Sequence, residues 1–376
     1  MAECVHRAEC KRRRLQEIAK RAHVSIATVS RTINDVPNAK PSLARRVRGV
    51  IEEFGYYPNT HARALVSGRS RIFGLMISET INPFFMDIVQ TFESLGFEHD
   101  YEIFLSSIAS DPRRIEVAVR RMIERRVEGV ALLSLEEEDS LIEVFRHRNV
   151  PMVALETGSA GALLKTVCID HTHGIRQAVQ NLAALGHVRI AFVSGPANSQ
   201  TAALRKNAFQ ECMQEVDLDV PQEFLLPGGH TLEAGMKALS LLAALPDRPS
   251  AVLCSNDMTA IGVMRGAFEL ELNVPRDLSV VGFDDIHMAQ FTAPPLTTVQ
   301  VSHVETAKSA FRALLDSVEV QRNPSQSELF TIQTNLVLRR STALAPVWLK
   351  ALPDVASTSD LEPREPQNHH RAGHHL

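Results

Sequence analysis

At 376 residues the chain is too long for one typical domain and suits two or three. No apolar run is long enough to span a bilayer, and the N-terminal MAECVHRAECKRRR lacks the apolar stretch of a secretory signal, so a cytoplasmic protein is expected. The formal net charge of −4 hides an asymmetry: residues 1–71 hold fifteen Lys/Arg against six Asp/Glu, net +9, which leaves −13 on the rest. A basic head attracts phosphate, whereas an acidic body is repelled along a duplex. The five cysteines, Cys4, Cys10, Cys168, Cys212 and Cys254, are scattered and odd in number, which points to a reducing compartment and away from a disulfide framework. Cys4, His6 and Cys10 lack a second ligand pair at a suitable spacing, so no metal site is expected.

Leu15, Ile18, Ala19 and Ala22 recur at three- and four-residue spacing and share one face of a short helix. His23 and Val24 make a turn, and Ser25 can cap a second helix from Ile26 to about Asn34 with Val29 and Ile33 inward. Thr28, Ser30, Arg31 and Asn34 are left on its other sides. Small residues at its start and a polar outer face suit the DNA major groove, the helix-turn-helix arrangement, although an ordinary helical hairpin shares the pattern. Pro41 and Ser42 start a third helix that carries Arg45, Arg46 and Arg48 to Phe54, where Gly55 ends it. Asn59 can cap one further short helix, Thr60 to Val66, before Ser67 and Gly68 loosen the chain.

From Arg71 onward apolar strands alternate with helices. RIFGLMI, YEIFLSS, GVALLSL and PMVALE read as strands, with helices at 83–95, 113–126 and 139–148 between them. The pattern restarts with helix 173–185, strand RIAFVSG, helices 201–215 and 232–245, strand SAVLCSN, helix 257–270 and strand LSVVGFD. Such alternation predicts parallel sheets covered by helices on both faces. Two α/β units in series leave a cleft at the carboxyl ends of their strands, where open sheets bind ligands. The polar residues Asn82, Asp170, Asn256, Asp257, Asp284 and Asp285 stand at those ends, with Phe84 and Phe85 nearby and Arg205 in the first turns of a helix. Asn82 and Asn256 read equally as helix caps, Asp257 reads as a cap, Phe85 as core and Asp285 as a loop acceptor.

In order, VSIATVSRTIN at residues 24–34, GYYPN at 55–59 and ARAL at 62–65 resemble the headpiece of the LacI/GalR family of bacterial transcription regulators. The resemblance continues to about Arg340. It implies a basic extension (1–14), an all-α helix-turn-helix headpiece (15–58) and a hinge helix with linker (59–70). A periplasmic-binding-protein-like effector and dimerisation domain follows (71–340), made of two doubly wound parallel-sheet subdomains that the chain crosses between several times. A largely disordered tail (341–376) ends the chain, with no apolar heptads for a coiled-coil tetramer. The implied function is a homodimeric repressor of a palindromic operator, switched by a small molecule, with no cofactor and no membrane.

By family position, Ile26 and Ala27 lead into the groove and Arg31 reads guanine O6 and N7, or else binds backbone. Thr28, Ser30 and Asn34 hold phosphates. Ser25, Asn59 and the hinge Leu65 complete the DNA interface, Leu65 as an apolar wedge in the minor groove or as plain helix packing. Phe84, Asp170, Arg205, Asn256 and Asp284 fall on family effector-contact positions, Phe85 adds a second ring, and His230 aligns with a position often aromatic. Ser199 stands where some purine-sensing relatives place arginine, and Ala208 replaces a usual glycine; the Asp170, Arg205, Asn256 and Asp284 set favours a sugar or sugar derivative, with a purine or another metabolite left open. A periplasmic-type binding protein without a DNA role would leave the basic head idle. An enzyme would need a nucleophile–base pair that Asp170, His173 and Asp284 do not form.

Overall fold

The structure is a computed structural model that describes residues 14–33, 40–55, 69–77, 82–108, 111–133, 138–156, 163–319 and 329–346. The N-terminal extension, Asn34, the hinge with Asn59 and Leu65, and the tail from residue 347 lie outside the described residues.

The head is built of α1 (residues 14–21), α2 (Ile26–Ile33) and α3 (Pro41–Glu53). Ile18, Ala19 and Ala22 meet Val29, Val47 and Val50 in a separate small core, as the three- and four-residue spacing requires. Ser25 caps α2, its Oγ accepting from Thr28 N at 3.1 Å. Arg46 donates to His23 O at 3.3 Å, fastening α3 to a turn whose φ of +47° is left-handed. Gly55, at φ +52°, takes the left-handed position just past α3 that a residue with a side chain avoids.

Among the described residues the body contains eleven strands: β1 (Ile72–Ile77), β2 (Glu102–Ser107), β3 (Gly129–Leu133), β4 (Met152–Leu155), β5 (Leu164–Asp170), β6 (Ile190–Val193), β7 (Leu225–Leu226), β8 (Ala251–Cys254), β9 (Ser279–Asp284), β10 (Thr297–Val301) and β11 (Leu329–Val337). The expected helices appear as α4 (Pro83–Glu98), α5 (Pro112–Glu124), α6 (Glu138–His147), α7 (His171–Ala184), α8 (Gln200–Glu215), α9 (Leu232–Ala243) and α10 (Asp257–Glu269), and α11 (His303–Glu319) joins them. The strand order is β2-β1-β3-β4-β5-β11-β10-β9-β8-β6-β7.

Two parallel half-sheets are thus joined through one strand. Leu329–Gln333 of β11 run parallel to β5, and Thr334–Val337 run antiparallel to β10. The chain passes from the first half to the second at Asp170–His171, returns through α11, and crosses again within β11. Phe311 of α11 packs on Phe73, Phe92 and Tyr101 at ring distances of 5.5, 5.2 and 6.4 Å, which ties the returning helix to the first half. β10, α11 and β11 stand beyond the expected series of strands and helices, although Ala307, Ala310, Phe311 and Leu314 of α11 keep the three- and four-residue spacing of a buried helix face.

The body does not end at residue 340. Ser341 is buried, donating to Val280 O at 2.6 Å and accepting from Thr297 N at 2.7 Å. His187 meets Ala343 O, and Ala345 N donates to Leu185 O. Residues 341–346 leave the sheet yet pack on the second half, a correction to the tail boundary: the backbone groups of this stretch find buried partners there.

Candidate functional site

All strands of the first half run parallel, the first-half part of β11 included, so their carboxyl ends face the same edge, and Asn82, Glu156 and Asp170 lie at or just beyond those ends. In the second half Ser255 and Asn256 follow β8, and Asp284 ends β9. Parallel strands force this convergence, because all loops that follow them share one rim.

The side chains there form one continuous chain of polar contacts. Asn82 caps α4, accepting from Phe84 N at 3.1 Å, and its side chain faces Asp284 and lowers that carboxyl. Arg205 Nη1 donates to Asp284 Oδ1 at 3.2 Å and to Ser255 O at 2.6 Å, with its guanidinium 3.9 Å from the centre of the Phe283 ring. Arg205 Nε donates to His171 Nδ1 at 3.4 Å, so that nitrogen carries the lone pair and Nε2 carries the proton. That Nε2 contacts Glu156 Oε1, while Glu156 Oε2 accepts from Thr201 Oγ1 at 2.9 Å. Asn82 and Glu156 come from the first half, Thr201, Arg205 and Asp284 from the second, so the chain bridges both.

Burial sets the electrostatics. It pushes the Asp284 carboxyl up to about 6, against the downward pull of the Arg205 charge. Burial also raises Glu156, but the His171 hydrogen bond and neighbouring positive charge outweigh it and leave that carboxyl below its usual range. His171 is pushed down by burial, which agrees with its neutral, Nε2-protonated form. His230, at φ +57°, bonds Ser255 Oγ at 2.9 Å and is pushed down to about 3 by burial and by Arg205. Gly195 makes room for it: a Cβ there would stand 2.1 Å from His230 Nε2. Among the described residues this chain of contacts and His230 beside it hold two carboxylates, one guanidinium and two neutral imidazoles, and offer acceptors in excess.

Arg205, His230, Asn256 and Asp284 come together, Asn256 through its Nδ2 to His230 O at 3.3 Å and as the cap of α10. Asp170 caps α7 by accepting from His173 N at 3.0 Å, which starts that helix at His171, two residues earlier than its apolar spacing suggests. Phe84 and Phe85 are both buried in the main core, their rings edge to face at 5.6 Å. Asp285 is a loop acceptor, held by Arg339 at 2.6 Å and Gln300 at 2.7 Å. Ser199 caps α8 through Ala202 N. Asp257 does not cap its helix. Sequence reasoning missed Glu156, His171 and Thr201; Glu156 directly follows β4, so the rule that selected the other strand-end carboxylates would have found it.

In the head, Ile26, Ala27 and Arg31 are exposed along one side of α2, opposite buried Val29 and Thr32. Thr28 and Ser30 are half-buried and Ser25 is exposed. Arg31 Nε donates to Ala27 O at 3.3 Å, folding the guanidinium back along the helix.

A three-helix head with an exposed second helix, ahead of two joined α/β half-sheets with a polar bridge at their shared rim, defines a DNA-binding regulator with a ligand-sensing body. Residues 14–59 match the model of bacterial regulatory proteins of the lacI family, and residues 179–342 match that of the periplasmic binding protein-like domain. The chain is 31% identical over 334 residues to the HTH-type transcriptional repressor PurR of Klebsiella pneumoniae (strain 342), covering 88% of this chain and 97% of that one. The lac repressor dimer bound to operator and the anti-inducer ONPF superposes with a TM-score of 0.76 at 26% identity, over 87% of this chain and 98% of that one. The transcriptional regulator CelR in complex with cellobiose gives 0.67 at 27% identity, over 87% and 99%. The chain belongs to the lacI family of bacterial regulatory proteins.

Proposed function

We propose that this protein is a cytoplasmic transcriptional repressor that binds a palindromic operator as a homodimer and is switched by a small molecule in the cleft between the half-sheets. The observation that carries the reading is the pairing of an exposed recognition face on α2 with a buried polar chain that spans both halves of the body. Ile26, Ala27 and Arg31 enter the major groove, Arg31 reading guanine. Ser25, Thr28, Ser30, Asn34 and Asn59 orient the head on the backbone, and Leu65 wedges into the minor groove.

Phe84, Phe85, Asp170, Arg205, His230, Asn256 and Asp284 are the proposed effector contacts. Excess carboxylate acceptors around a single guanidinium favour a neutral, donor-rich effector, a sugar or sugar derivative, over an anion. The cellobiose bound by CelR and the ribose bound by a LacI family regulator from Enterococcus faecium support that class. Binding changes how the halves close on each other and so the spacing of the two heads, and DNA affinity shifts only by the effector's differential affinity for the two states.

Selection of binders from random DNA by gel shift should return a palindrome, and a thermal-shift screen of sugars, sugar acids and nucleobases should return a neutral polyol. A chain that recovers no palindrome, with a body that still binds ligand, would make it a small-molecule-binding protein without a DNA role.

A further inference from the structure

Asn256 caps α10, its Oδ1 accepting from Thr259 N at 2.9 Å, and leaves the carboxylate of the next residue free of that duty. Asp257 is fully buried and reaches away from its own helix. Its Oδ2 accepts from Ile286 N at 2.8 Å, and its Oδ1 meets Thr298 Oγ1 at 2.5 Å. Ile286 directly follows a turn in which φ is +109° at Asp284 and +58° at Asp285. Residues with side chains avoid this left-handed region, and they hold such backbone only where the surroundings over-determine it. Gly282 leaves the space that this arrangement needs, since a Cβ there would stand 2.0 Å from Asp257 Oδ1.

We infer that Asp257 is a positioning residue for the effector cleft: its carboxyl group ties the start of α10 to the turn after β9 and to β10, and so holds Asp284 against Arg205 beside Asn256. Asp284 and Asn256 leave different strands, β9 and β8, and each is also held by a bond of its own, to Arg205 and to His230 O. A buried acceptor that takes the first free N–H after the strained turn, while anchored on the residue next to Asn256, sets their separation. Thr298 completes the clamp from the neighbouring strand, which pairs with β9 through Thr298 and Gly282. The inference rests on the reading of Asn256 and Asp284 as effector contacts.

The test needs no effector, so its failure and the failure of that reading are distinguishable. Asp257→Ala, Asp257→Asn and Thr298→Val are made in the full chain. The Asp284 carboxyl, which faces Arg205, Asn82, Glu156 and Asp257 itself, is titrated by carbon-13 NMR, and the 284–286 backbone is read from crystals. The wild type should titrate at about 6. In Asp257→Ala the turn should relax to negative φ and carry Asp284 out to solvent; with the burial that raises it removed, its midpoint should fall toward the ordinary range near ~4, whereas loss of the Arg205 charge alone would raise it. Asp257→Asn keeps an acceptor for Ile286 and should restore the wild-type midpoint. Thr298→Val alters no charge, covers the case in which Asp257→Ala does not fold, and should move the midpoint the same way by less. An unmoved Asp284 in both Asp257→Ala and Thr298→Val, or an equal fall in Asp257→Asn, overturns the inference.

Discussion

Arg205 Nη1 lies 3.2 Å from Asp284 Oδ1 with both side chains almost completely buried, so neither charge has water to fall back on. Breaking such a pair by removing one partner typically costs about 3–5 kcal/mol, because the other charge stays buried and unpaired. Arg205→Ala and Asp284→Ala should each destabilise the body by that order in urea unfolding, and the double variant by less than the sum. Both should abolish the response to effector while leaving effector-free operator affinity near wild type. Additive stability losses would mean that the pair is not coupled; unchanged effector affinity in calorimetry would remove both residues from the site.

Arg31→Ala should weaken specific operator binding by roughly 1–3 kcal/mol and relax specificity at one symmetric position in each half-site. The bond from Arg31 Nε to Ala27 O must give way for the guanidinium to reach a base edge. Equal weakening on operator and random DNA would make Arg31 a phosphate contact.

Leu65→Ala should weaken specific binding far more than non-specific binding. A segment of seven residues, the length of 60–66, is too short for a stable helix alone in water, so the proposed hinge helix should fold only against a second copy on DNA. Effector and operator must then be reciprocally coupled. Ligand affinity that is identical with and without operator would defeat this mechanism.

His230 carries a pH dependence of known sign. Its folded value of about 3 lies below the unfolded imidazole's, near roughly 6.5. As pH falls below the unfolded value, the unfolded chain takes up a proton that the folded site refuses, and stability is lost. Between pH 7 and 5 this one group removes about 2 kcal/mol. His230→Phe should therefore lose less stability over that interval than wild type in parallel denaturant titrations. Equal losses would show that the ring is protonated in the folded state.

Phe311→Ala should cost about 3–5 kcal/mol, since the ring is buried against Phe73, Phe92 and Tyr101 and its removal leaves a cavity. Because α11 is the only return of the chain to the first half before β11, among the described residues, first-half amides should lose hydrogen-exchange protection before second-half ones. Uniform loss would show that the halves unfold as one unit.

Much of the polar rim was legible because parallel strands deliver their carboxyl ends to one place, so strand-end polar residues select themselves. Asp170, Asn256 and Asp284 were found this way, and Arg205 by resemblance. Glu156 was passed over as the last letter of an apolar strand. His171 follows Asp170 directly, and only the capping of His173 N by Asp170 brings it into the first turn of α7, where it reaches both Glu156 and Arg205. Asp257 looked like a helix cap because it begins a helix; the neighbouring Asn256 takes that role, and no local pattern could show that its carboxylate reaches Ile286, twenty-nine residues away.

The sequence by itself determined the local matters: the helix-turn-helix with its cap at Ser25, the alternation of strands and helices, the basic head on an acidic body, and the family. Periodicity, capping and charge act over a few residues, and that is the range over which a sequence can be read directly. Only the tertiary structure decided that β11 joins the two half-sheets, that residues 341–346 pack on the second half, and that Asn82, Asp284, Arg205, His171, Glu156 and Thr201 form one chain of polar contacts. Those contacts join residues up to two hundred positions apart. Their geometry is set by how twisted sheets and helices pack, and a pair of groups distant in sequence leaves no periodic trace of having met.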